Sequence, residues 1–93
     1  MDKKKLRKIR NELDKLDYKL LDLYKKRTNL INKVIEIKKY KKQIIDRKRI
    51  KKVLRNIKKN SIKRKIDPKI TQKIWSSMIN SYIDYEKRNF KKK

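Results

Sequence analysis

Arg27 occupies a position where the pattern calls for a leucine. Leu6, Ile9, Leu13, Leu16, Leu20, Leu23, Arg27, Leu30, Val34 and Ile37 follow one another at spacings of three and four, and every one but Arg27 is Leu, Ile or Val. Such a repeat is the seam of a long helix that packs against a partner. A guanidinium in that seam is costly unless an anion meets it. Anion binding is therefore the chemistry Arg27 suggests, and a polar residue that only fixes register is the competing reading. Lys38 lies eleven residues further on, almost three turns, and so on nearly the same face. Arg10 lies about 25 Å before Arg27 along the axis and roughly 100° around it. A small ligand can reach both arginines only if an antiparallel partner helix supplies Arg10. Taken singly, Arg10 and Lys38 read as solvated cations among 34 Lys and Arg.

A second anomaly has the opposite sign. Trp75, Ile79, Tyr82, Glu86 and Phe90 form one stripe at helical spacing, so Glu86 shares a face that should be buried. A carboxyl there either pairs with a cation or stays neutral, and a solvated position near a frayed helix end is the competing reading. Arg27 and Glu86 together point to an internal polar site.

Composition narrows the chemistry further. The 93 residues include no His, Cys or Gly and one Pro. Ser-His and Cys-His nucleophilic catalysis, imidazole and thiolate metal sites and disulfides are thereby excluded. A single small domain, 1–93, with 35% hydrophobic residues cannot build a large core alone, so apolar surface is expected to be shared with a second copy. No apolar run reaches membrane-spanning length and no signal-peptide segment is visible, so a cytoplasmic protein is expected. The net charge of +24 suits a nucleic-acid-binding module. Abundant Lys, Ile, Asn and Tyr with no Gly or Ala also fit base-composition bias, and the lysines run along the whole chain. A nucleic-acid partner is accordingly not expected.

The elements that must position these residues are all helical. Lys3 to Lys39 reads as one helix of about 55 Å, and Tyr40 to Ile45 as a short connection. Asp46 is an N-cap for a short helix whose apolar face carries Ile50, Val53, Leu54 and Ile57. Asn60 to Lys65 reads as a polar loop. Asp67-Pro68 starts a medium helix bearing Ile70, Ile74, Trp75, Met78, Ile79, Tyr82, Ile83 and Phe90. The expected class is all-α: three helices, long, short and medium.

In that frame the order of residues resembles a known family. Leu6-Arg-Lys-Ile-Arg10-Asn-Glu-Leu-Asp14, then Leu20-Leu-Asp-Leu-Tyr-Lys-Lys-Arg27, then Val34-Ile-Glu-Ile-Lys38, is similar to the first helix of the all-helical chorismate mutases. Asp46-Arg-Lys-Arg49 with Val53-Leu54 resembles the start of their second helix. Ile66-Asp67, Ile74-Trp75 and Met78-Ile79 out to Glu86 resemble their third. The resemblance implies an intertwined helical homodimer, each site using an arginine from the other protomer. It implies rearrangement of chorismate to prephenate, in phenylalanine and tyrosine biosynthesis, with no metal, cofactor or covalent intermediate. By match, Arg27 and the partner-supplied Arg10 would clamp the two substrate carboxylates. Lys38 would donate to the ether oxygen with Glu86 on its other side, and Asp46 would lie by the ring hydroxyl, offering its backbone N–H. Three positions depart from the family pattern. Ile50 stands where Glu usually contacts the ring hydroxyl, a feature shared with the related isochorismate-pyruvate lyases. Tyr82 stands where Ser is frequent near the ring carboxylate. Glu86 stands where Gln is frequent.

Overall fold

The computed structural model describes residues 2–91. Three α-helices follow one another: α1 (Lys3–Ile37), α2 (Arg47–Lys63) and α3 (Pro68–Asn89), with a 3-10 helix at Lys41–Ile44 between α1 and α2. No strand occurs among the described residues. The chain divides into two compact units, Met1–Lys33 and Val34–Lys93.

The first unit is most of α1. Asp2 caps its start, Oδ1 accepting from the backbone N–H of Lys4 and Lys5 at 3.0 and 3.1 Å. The seam expected from the sequence is present as a stripe, and its leucines and isoleucine from Ile9 to Leu30 are 50–60% exposed in the single chain. No helix among the described residues is long and apolar enough to cross a membrane.

The second unit holds the end of α1, the 3-10 helix, α2 and α3. Ile35, Ile44 and Met78 are its buried apolar residues. Half-buried Val53, Leu54 and Ile57 from α2 and Trp75, Ile79 and Ile83 from α3 extend the apolar interior, and α2 packs on α3. Two polar bonds fix that packing. Ser61 Oγ donates to the Ile57 carbonyl at 2.6 Å and shares a 2.7 Å hydrogen bond with Thr71 Oγ1. Gln72 Nε2 donates to the Leu54 carbonyl at 3.0 Å. With both groups satisfied, burial of Ser61 and Thr71 carries little desolvation cost.

The connections differ from their expected form in two places. Asn60 to Lys65 is not a loop, because α2 continues through Lys63. The segment stays helical because the Ser61 hydroxyl finds a partner on α3. The helix then closes by a Schellman turn: Ile66 N–H donates to the Ser61 carbonyl at 2.9 Å and Lys65 N–H to that of Ile62 at 3.1 Å. Lys65 holds the left-handed position of this turn at φ 58°, which glycine usually fills. The second difference is the connection after α1, which contains a helical turn whose Ile44 is only 3% exposed. Asp67 caps α3 with Pro68 in its first turn, and its Oδ1 accepts from Lys69 N–H at 2.9 Å.

Candidate active site

Lys38 and Glu86 meet. Lys38 follows the last residue of α1, and its backbone N–H still donates to the Val34 carbonyl at 3.0 Å. Glu86 lies in the last turns of α3 on the face the spacing marks as buried. Lys38 Nζ donates to Glu86 Oε1 at 3.2 Å, with the two side chains 20% and 7% exposed. A carboxylate this deep needs a cation, and Lys38 is that cation. The pair joins residues 48 apart in sequence, so it exists only because the end of α1 is brought to α3.

Asp46 lies close by. Its Oδ1 accepts from Arg49 N–H at 3.0 Å, capping α2. It lines one open depression with Lys38, Gln43, Ile45, Arg47 and Lys48. The depression is strongly cationic, with Lys38, Arg47 and Lys48 among its lining residues. An arrangement of this kind can bind an anionic molecule and donate a hydrogen bond to an oxygen that gains charge.

The other expected residues sit as follows. Ile50 is half-buried on the α2 face that also carries Val53, Leu54 and Ile57. Tyr82 is half-buried on α3, its ring edge-on to Tyr85 at 6.3 Å between centroids. Arg27 is half-buried and Arg10 is exposed, both on α1 in the first unit. Arg10 lines a groove there with Lys3, Leu6, Arg7 and Asn11. Along a single α1 the two arginines are about 25 Å apart, too far for one small ligand.

One residue of this region is not evident from sequence. Gln43, in the 3-10 helix, turns its side-chain oxygen back onto the chain and accepts from the N–H of Lys39 at 2.8 Å and of Tyr40 at 2.9 Å. Gln three residues after an N-cap is the recognisable half of a capping box. Tyr40 is not a usual first member, which hides the signal.

The model of the family described as chorismate mutase type II matches residues 9–87. This chain belongs to that family. It is an isomerase of the all-helical chorismate mutase type, and Lys38, Asp46 and Glu86 all fall within the matched segment. No curated protein and no solved structure matches it.

Proposed function

We propose that the chain acts as one catalytic domain that rearranges chorismate to prephenate at a site built around Lys38 and Glu86. The observation that carries this reading is the buried ion pair at 3.2 Å within a family-matched chain. The reaction is pericyclic and needs no nucleophile, so a chain without His or Cys lacks nothing it requires. It needs a flexible dianion held in a compact chair-like conformer, and stabilisation of charge developing on the ether oxygen. Arg27 clamps one substrate carboxylate bidentately, as a planar guanidinium suits. Lys38 Nζ donates to the ether oxygen, and Glu86 stands on its other side. Asp46, whose carboxylate is committed to the α2 cap, approaches the ring hydroxyl through its backbone N–H. Tyr82 offers its hydroxyl near the ring carboxylate, and Ile50 forms an apolar wall there without a hydrogen bond.

The second carboxylate needs Arg10, and the length of α1 makes that an Arg10 from another protomer. The exposed seam supports this arrangement: a row of half-exposed leucines on one helix is the surface that a second copy covers in an intertwined dimer. On this reading the protein serves the route to phenylalanine and tyrosine, with the cytoplasm as its compartment.

The deciding experiment is incubation of the purified protein with chorismate, following both its absorbance and prephenate. The expected result is conversion to prephenate, with Arg27→Ala lowering kcat/KM by about 10²–10³-fold. No chorismate loss at high protein concentration overturns the proposal. So does chorismate loss without prephenate, while release of pyruvate from isochorismate alone would assign the chain to lyase chemistry instead.

A further inference from the structure

Lys38 is the first residue beyond α1, where a four-carbon side chain would ordinarily be mobile. Helix termination leaves Lys39 and Tyr40 without the carbonyl partners that a continued helix would give their N–H groups. Gln43 Oε1 accepts from both, at 2.8 and 2.9 Å. Gln43 N–H in turn donates to the Tyr40 carbonyl at 3.0 Å, so the side chain and backbone of one residue hold both the N–H and the C=O of Tyr40. The 3-10 helix that carries Gln43 is itself anchored: neighbouring Ile44 is 3% exposed and this helix packs on α3, the element that bears Glu86. The backbone just after Lys38 is thus fixed to the same helix that receives its ammonium.

From this geometry we infer that Gln43 is a positioning residue for Lys38. It clamps residues 39 and 40 so that the Lys38 ammonium is presented beside Glu86. This inference rests on the proposed role of Lys38 at the ether oxygen. Gln43 touches no reacting atom. Its contribution is orientational, the kind in which a displacement of about 1 Å can cost on the order of 100-fold in rate.

The test compares Gln43→Leu, which keeps bulk and removes the acceptor, with Gln43→Glu, which keeps an acceptor oxygen. Gln43 is exposed, so neither change touches the interior. In the ligand-free protein, amide hydrogen exchange at Lys39 and Tyr40 accelerates in Gln43→Leu and stays near wild type in Gln43→Glu. At saturating chorismate, Gln43→Leu loses about 10- to 100-fold in kcat, at an unchanged melting temperature, and Gln43→Glu recovers most of it, whatever its added charge does to KM at the depression that residue 43 lines. Wild-type kcat in Gln43→Leu, or a loss in Gln43→Glu equal to that in Gln43→Leu, overturns the inference. A wild-type protein without turnover defeats the proposed function instead, and the exchange measurement then decides the clamp by itself.

Discussion

At the scale of single residues, the proposed chemistry turns on the Lys38–Glu86 pair. Glu86 accepts from Lys38, which is the arrangement of an ionised carboxylate. A glutamate can donate a hydrogen bond to an ether oxygen only when protonated, whereas a glutamine amide donates at any pH. As an acceptor from Lys38, Glu86 offers the ether oxygen no donor of its own, and a glutamine amide at the same place would. Glu86→Gln is therefore expected to keep or raise kcat and Glu86→Leu to lower it, and equal kcat in the two variants would remove Glu86 from the ether oxygen. The burial of Glu86 was legible from Ile79, Tyr82 and Phe90 around it on one stripe. Its partner was not, since nothing local to α3 signals a lysine 48 residues earlier. Only the family resemblance brought the two together.

At the scale of elements, the helix ends carry the information. The start of α3 was readable because Asp67-Pro68 combines a capping side chain with a residue that needs no N–H partner. The heptad-like period gave α1 to its last residue, Ile37, and the expected end at Lys39 overran it by two residues. The end of α2 was not readable. Asn60 and Ser61 are poor helix formers, and the Thr71 hydroxyl that holds Ser61 in the helix lies ten residues on, beyond the reach of local propensity. The stop signal itself is disguised, because Lys65 occupies the left-handed position without a glycine to announce it. That position costs a non-glycine residue about 1–2 kcal/mol, partly offset in glycine by its freer unfolded chain. Lys65→Gly is accordingly expected to stabilise the protein by about 0.5–1 kcal/mol in urea or thermal melts. Lys65→Ile is expected to destabilise it by more, since a branched side chain is least tolerated at positive φ. Destabilisation by glycine would contradict the Schellman geometry.

At the scale of the whole molecule, the proposed site is divided between chains, and the division can be counted. Arg10→Ala and Arg27→Ala should each lose about 10²–10³-fold in activity alone. In a refolded equimolar mixture about half the dimers are mixed. In each of these, one site has lost both arginines and the other has kept both. About one quarter of wild-type activity is expected to return, measured as chorismate loss after co-refolding from denaturant. No recovery would mean that Arg10 does not act across the dimer. The leucine seam was the most legible feature of the sequence, yet its partner was not. A repeat states that a surface will be covered and leaves open by what.

The Schellman turn and the Ser61–Thr71 bond make α2 and α3 a hairpin closed over very few residues, and that has a kinetic consequence. Contacts so near in sequence cost little loop-closure entropy and form early, on the timescale of helix pairing, about microseconds. Covering the α1 seam with a second copy, as the proposed dimer requires, would instead await a collision between chains. If the proposed dimer forms, refolding is expected in two stages of different order: a first-order phase in which the hairpin forms, and a second-order phase whose rate scales with protein concentration and on which activity depends.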